Sequence, residues 1–529
     1  MMACVLSPKA RKIVSYVIFF LVLLILIGIF WGWWHMRDRH SGYRLDLSLP
    51  DQRVQVPVKV FQAGAAAITI TPKIVDTWVD VDSNAKYQPK KGDHFIDKNG
   101  NGIFDAYWLA GFANARAANG IHDDLWARTV VFGNQALKTA VVVIDAIGFM
   151  MDDVIDVRQM VPKNWGIDHV IVVSTHDHEA PDLIGMWGQK PTKTGVNAGY
   201  MAFVKRRIVA SIDSARLRMT PAAVRMTKIP HIRDELVRDS RPPYVFDDDL
   251  YVLQFLNRES REPIATIVNW ANHPETLESK NLLITSDFPH YVRQGIEKGL
   301  VYNEQVVRPG IGGVAIYING AIGGLMTPIG TNPTDPYLKK SFKKPSFKKA
   351  RAIGYTLAAK VLDVTQNGTW TINENPDLHL WARTVFLPFA NKYFKLGSLF
   401  GVLNRGMSGW MKLRSEIDLL VLGDTWILTI PGEVYPEIVN GGVVNPPGAD
   451  YKISPIEVPA IREFMEGKVN LIWGLANDEI GYIIPKSEWD RWDHPPYLYH
   501  SKKHLYGEIN SLGPNTAPDL YKDIRKMLD

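Results

Sequence analysis

Residues 169–179 read HVIVVSTHDHE. A short apolar run rich in β-branched residues, the pattern of a buried strand, breaks directly into imidazoles and carboxylates. The same succession recurs down the chain. Ile267-Val268-Asn269-Trp270 leads into Asn272-His273-Pro274-Glu275, and Leu428-Thr429-Ile430 into Pro431-Gly432-Glu433. Ile472-Trp473-Gly474 leads into Ala476-Asn477-Asp478-Glu479-Ile480-Gly481-Tyr482. Further strand candidates are 140–144, 251–256, 265–270, 314–318, 419–422, 426–429 and 470–473, and helical patterns lie at 198–219, 288–299, 348–365 and 521–528. This alternation predicts an α/β fold: one large mixed α/β domain with a sheet core over residues 61–529, with no linker dividing it. Ligands in open α/β sheets collect beyond the carboxyl ends of strands. The polar clusters after these strands are therefore where chemistry is expected.

Ile13 to Trp34, IVSYVIFFLVLLILIGIFWGWW, carries no charge. About 20 apolar residues span a bilayer, and tryptophans gather at its interface. A transmembrane helix over 13–34 is expected, with a cleaved signal peptide and a buried core helix as the competing readings. Lys9, Arg11 and Lys12 favour a cytoplasmic N-terminus (residues 1–12), although Arg37, Arg39 and Arg44 flank the other side. The chain then reads as a single-pass membrane protein with residues 35–60 as a stalk and its main domain periplasmic, extracellular or luminal.

The net charge of +5 is unevenly placed. Residues 1–43 carry +4 and the seven Lys/Arg of 339–351 carry +7, leaving about −6 elsewhere. No groove-sized basic surface remains, and no nucleic-acid module is recognisable, so a nucleic-acid partner is excluded. Cys4 is the single cysteine, which excludes an intrachain disulfide framework and a cysteine-based zinc cluster.

Three stretches fit either a structural or a functional role. The Lys-rich segment 337–351 reads as a solvated loop or as a contact for anionic headgroups. Residues 394–411, FKLGSLFGVLNRGMSGWM, read as core, or as a lid or lipid-facing entrance. Asp97, Asn99, Asn101 and Asp105 hold positions 1, 3, 5 and 9 of a calcium-loop spacing with Gly102 at position 6. Trp108 occupies the position of the usual bidentate acid, so an Asn/Gly turn without calcium fits equally.

Imidazole and carboxylate are zinc's ligands, and a catalytic zinc keeps one position open. His176-Asp177-His178 alone leaves a structural role open. A metallo-β-lactamase-type H-x-H-x-D-H fails, because Ala180 and Pro181 occupy the last two places.

Over most of 62–528 the chain resembles the neutral/alkaline, non-lysosomal ceramidase family. The matching pieces come in order: Gln62-Ala63-Gly64 through Thr71-Pro72, Gly120-Ile121-His122 with Trp126-Ala127-Arg128, and Thr175-His176-Asp177-His178. They continue with Asn269 to Pro274, Pro431-Gly432-Glu433, Ala476 to Tyr482, and Tyr506-Gly507 with Gly513-Pro514. The resemblance implies zinc held by His176, His273, Glu433 and Tyr482, with His178 as an acid/base or supporting histidine. Tyr482 as a packed aromatic and Glu433 as a surface carboxylate stay open, and His122 reads as structural or pocket-lining. The expected reaction is cleavage of an N-acyl amide in ceramide or a related lipid, with zinc as cofactor, calcium as a candidate second ion, and a lipid-like substrate and the membrane as partners.

Departures surround the expected pocket. The family's G-[DN]-x-S-P motif corresponds to Asn319 through Pro328, which has no serine; Thr327 takes its place with a one-residue gap, Met326 without one. Glu179-Ala180-Pro181 replaces S-G-P, and Glu479 replaces the first tyrosine of A-N-x-Y-x-x-Y. The family's C-terminal immunoglobulin-like domain is expected to be missing. Three readings follow: a membrane-anchored zinc amidohydrolase, a metal-dependent esterase or amidase acting on another substrate, and a non-catalytic tethered binding protein.

Overall fold

A computed structural model describes residues 7–50, 60–447, 449–490 and 506–528. Cys4 and part of the expected cytoplasmic segment lie outside them. The fold is mixed α/β with two principal sheets. The larger runs in the order Val314–Ile318, Pro263–Asn269, Leu250–Asn257, Thr220–Ile229, Gln62–Thr69, Trp126–Gly133, Lys138–Ile144, His169–Ser174, with Thr371–Asn373 paired to Thr220–Ile229. Its pairings are antiparallel except the last at each end, 263–269 with 314–318 and 138–144 with 169–174. The smaller sheet runs Asp46–Leu49, Leu378–Pro388, Lys412–Leu422, Thr425–Thr429, Val469–Trp473, its last pair parallel.

The strands alternate between two buried faces, which is why they read as continuous apolar runs. Val141, Val143, Ile171, Leu253 and Phe255 meet Leu420, Ile427, Leu471 and Trp473 in a core between the sheets. Ala140, Val142, Val170 and Val172 face outward under helices Met151–Met160 and Ala198–Leu217. Val252, Val268 and Tyr317 face helices Asp287–Glu297 and Phe347–Asn367. The outer side of the small sheet is covered by Thr516–Leu528. The layers are therefore helix, sheet, sheet, helix.

The large sheet curls. Its edge strand 314–318 approaches 126–133 and 138–144, and Asn319 Nδ2 donates to the Thr175 carbonyl at 2.7 Å. Strand ends that are far apart in sheet order thus meet in space.

One buried network joins the sheets. Asn477, at φ +61°, donates from its backbone N–H to the Val172 carbonyl at 2.6 Å and accepts the Val172 N–H on Oδ1 at 3.0 Å. Its Nδ2 donates to Asp418 at 2.6 Å and Glu416 at 3.1 Å. Arg158 holds Glu416 through both guanidinium nitrogens, 2.8 and 2.5 Å. Burial alone would raise Glu416, but the Arg158 charge and His169 hold it below the ordinary carboxylate range.

The segment 35–60, expected as a stalk, is packed over its described part. Asp46–Leu49 pairs with 380–383, and Arg414 donates to Asp38 at 3.0 and 2.7 Å. A four-residue edge strand carries little signal of its own, since its partner supplies the pairing. Pro8–Met36 forms one helix with a mean hydropathy of 3.1 in its most apolar window and none of that window buried, long and apolar enough to be a span or a signal sequence. Residues 392–399 form a helix packed on its C-terminal end. In the Lys-rich segment, Phe347 stacks on His122 at 3.6 Å, and Lys349 is buried with Nζ donating to the Pro328 carbonyl at 2.7 Å.

Asn477→Ala removes the three side-chain bonds of Asn477, to the Val172 N–H, Asp418 and Glu416, and puts a Cβ residue without a polar side chain at positive φ. Urea unfolding of the detergent-solubilised chain should show a loss of about 2–4 kcal/mol; a change near zero would remove the network from the fold's essentials.

Candidate active site

Four strand ends, two from each sheet, deliver the site. His176 follows 169–174, His273 follows 263–269, Glu433 follows 425–429, and Tyr482 lies beyond 469–473. All four are buried. His176 sits at φ +63°, an uncommon conformation for a residue with a Cβ, which turns the chain sharply off the strand.

The histidines are oriented by carbonyls. His176 Nδ1 donates to the Ile147 carbonyl at 2.7 Å and His273 Nδ1 to the Met326 carbonyl at 2.6 Å. Carbonyls only accept, so these bonds place a proton on each Nδ1; His273 Nε2 also hydrogen-bonds Glu433 Oε2 at 3.0 Å, which works against burial and raises His273. Both Nε2 atoms face one oxygen, Glu433 Oε2, at 3.5 and 3.0 Å. Burial, with the His273 charge, lowers His176 to about 4. Burial would raise Glu433, yet the neighbouring imidazoles hold it down and ionised. A neutral His176 Nε2 facing a carboxylate oxygen places two acceptors against each other. A proton or a metal cation between them relieves that contact. An Nδ1–H held by a carbonyl with Nε2 at the ion is also the usual setting of metal-bound histidine. The donor set therefore fits a metal cation.

His176, His178 and His273 offer ring nitrogens within 4.8 Å of one another, so His178 competes with Tyr482 for the fourth place. Both ring nitrogens of His178 are buried without a hydrogen bond, and Nδ1 lies 3.5 Å from Glu275 Oε2. Burial and the adjacent imidazoles push His178 well below its ordinary value. Tyr482 hydrogen-bonds the Glu433 carboxylate and packs edge-on to Tyr506 at 5.9 Å.

Thr327 is close by but tied. Its Oγ1 donates to Glu275 Oε1 at 2.5 Å and accepts from the Ile329 N–H at 3.0 Å. Met326, the other candidate for the serine's place, is core. The calcium-type loop lies at the surface. Asp97 accepts from the Gly100 and Gly102 N–H groups at 2.7 Å each, and Asn99 and Asn101 both donate to Asp105 Oδ2, at 2.7 and 2.9 Å. The side chains of Asn99, Asn101 and Asp105 are brought together there, while Asp97 holds the loop backbone.

The site opens into a pocket of about 70 Å³. His176, His178, Glu433 and Tyr482 form its polar end; Ile147, Ile184, Trp187, Phe389, Phe394 and Leu403 form apolar walls. Two residues at the site, Glu275 and Tyr506, had no role assigned from sequence, and Glu479, read there as a departure at the expected pocket, lines it. Glu275 links His178 to Thr327, and its only signal was a carboxylate two places after His273. Tyr506 lies in the wall beside Tyr482. Glu479 accepts from the Gly481 N–H on one oxygen, while the other is buried without a hydrogen bond; burial and the Glu433 charge push it well above the carboxylate range. His122 does not line the pocket.

Gly111 has φ +97°, and a Cβ there would fall 2.4 Å from the His178 ring. Gly111→Ala should displace His178 and lower turnover about 100-fold while leaving bound metal unchanged; retained activity would show that the ring's position is immaterial. Metal analysis should find about one ion per chain, lost in His176→Ala.

No curated protein matches this sequence. Among solved structures, the neutral ceramidase from Pseudomonas aeruginosa shares the fold at a TM-score of 0.61 and 15% identity, over 89% of this chain and 74% of that one. A structure described as ceramidase complexed with C2 gives 0.62 and 15%, over 89% and 75%. Residues 101–328, the stretch that carries His176, His178 and His273, match the N-terminal region of the neutral/alkaline non-lysosomal ceramidase family.

Proposed function

We propose that this protein is a membrane-anchored, zinc-dependent hydrolase that cleaves the N-acyl amide bond of ceramide or a related lipid. The single observation that carries the reading is the meeting of His176, His273 and Glu433 at one point, where His176 and Glu433 form the polar end of an apolar pocket. The family match over 101–328 supports the substrate class.

His176, His273 and Glu433 would hold the ion, with Tyr482 beside it. When bound, zinc lowers the pKa of a water toward neutrality and polarises the scissile carbonyl. Each Nδ1–carbonyl bond keeps its ring fixed. His178, neutral and unpartnered, accepts a proton and returns it to the leaving amine nitrogen. Glu275 faces His178 Nδ1 and stabilises the imidazolium that forms. Thr327 acts through Glu275 by fixing that carboxylate. The apolar walls exclude bulk water and receive the acyl chain. The 97–105 loop is the place for a structural calcium. N-terminal charge bias supports a cytoplasmic N-terminus and a domain on the far side of the membrane.

A second reading keeps the chemistry and changes the substrate. Glu479 in the wall and Thr327 in place of serine favour an ester or amide other than ceramide.

Hydrolysis should be screened across ceramides, N-acyl amino acids and simple esters, with and without chelator. Ceramide turnover abolished by chelator and by Glu433→Ala is expected; turnover surviving both would sink the reading. His178→Ala separates proton carrier from ligand. Metal should remain while kcat falls about 10²–10⁴-fold; loss of the ion would make His178 a ligand. Thr327→Ala should lower kcat only about tenfold or less, since it acts at one remove.

A further inference from the structure

The N-terminal helix does not leave the body at an arbitrary place. Its last turns dock on residues 397–407. Gly32 packs against Leu399, and the His35 ring against Gly401. The Met407 N–H donates to the Met36 carbonyl at 3.1 Å, and Arg39 donates to Asn404 Oδ1 at 3.0 Å. Arg414 then clamps Asp38. Trp31, Trp33 and Trp34 stand at this same end, where amphipathic rings mark the interface level.

The segment 392–411 therefore lies level with that aromatic belt, and it has two unlike faces. Phe394 and Leu403 point inward and form part of the pocket wall. Tyr393, Leu396 and Phe400, spaced along one side of the helix and its end, are 46, 50 and 56% exposed, and Trp410 is 87% exposed. Lys392 and Lys395 are interspersed among them. An apolar patch with flanking lysines is unfavourable in water and suits an interface with anionic headgroups.

We propose that residues 392–411 sit in the bilayer interface beside the N-terminal helix, as a thin wall between lipid and active site. A long-chain amide then passes from the leaflet into the pocket with its acyl chain shielded from water. The occupant of this face is the membrane surface, because the helix that would cross the bilayer is docked on the same segment. This rests on the anchored, lipid-hydrolysing reading above.

The lone Cys4 makes a clean labelling test possible. In the full chain with Cys4→Ser, nitroxide labels are placed one at a time at Leu396→Cys, Trp410→Cys, Ile25→Cys and Ile103→Cys. The protein is reconstituted in vesicles of about four parts phosphatidylcholine to one of phosphatidylglycerol. Labels at 396, 410 and 25 should relax with oxygen in preference to a water-soluble nickel chelate, and the label at 103 the reverse. Labels at 396 and 410 that follow 103 while 25 stays in lipid overturn the proposal and leave the anchor intact. If 25 also follows 103, the anchor reading fails and takes the proposal with it. Turnover supplies a second arm. Leu396→Glu with Trp410→Glu should lower hydrolysis of a vesicle-embedded long-chain ceramide about tenfold or more and leave a soluble short-chain amide unchanged; an equal fall on both substrates overturns the proposal.

Discussion

Everything at the site depends on the contact between the two sheets. His176 and His273 come from the large sheet, Glu433 and Tyr482 from the small one. No single sheet could bring these groups together. Asn477 bonds the Val172 backbone on one side and Asp418 with Glu416 on the other, so it fixes strand 169–174 against strand 412–422. His176 begins two residues after that strand ends. Glu416 of the Arg158–Glu416 pair is fully buried and Arg158 largely so, and breaking one partner leaves an uncompensated charge. A loss of registry here moves one half of the donor set relative to the other.

A second constraint acts through carbonyl oxygens. Ile147 and Met326 lie on loops far apart in the chain, yet each presents its carbonyl to an imidazole Nδ1. Their effect is to turn two Nε2 atoms onto one carboxylate oxygen. The charge state of the site follows from that orientation. The hydrogen bond with His273 helps hold Glu433 below the ordinary carboxylate range against burial, and burial lowers His176 and His178. The chemistry is thus a consequence of backbone placement, with His178 left free because no carbonyl claims its ring.

Much of this was legible in the sequence because both faces of the large sheet are covered. Strands such as 169–174 and 251–256 then read as unbroken apolar runs. Strands 220–229 and 378–388 were not recognised, since TPAAVRMTKI and LHLWARTVFLP mix small, polar and apolar residues. Asp46–Leu49 was hidden in an expected stalk. The donor set came from a resemblance, and the geometry brings its members together. The curl of the sheet, which places 263–269 near 169–174, has no local signal, because it arises from pairing and twist summed over nine strands. Glu275 and Tyr506 were missed for the same reason. Each owes its place at the site to segments distant in the chain.

The central claim is that His176, His273 and Glu433 share one metal ion. The most direct measurement is anomalous diffraction at the zinc edge from crystals of the full chain. The account predicts a single strong peak within about 2.3 Å of the Nε2 atoms of both histidines and a Glu433 oxygen. No peak there, with Glu433 hydrogen-bonded to a protonated His273 instead, would contradict it.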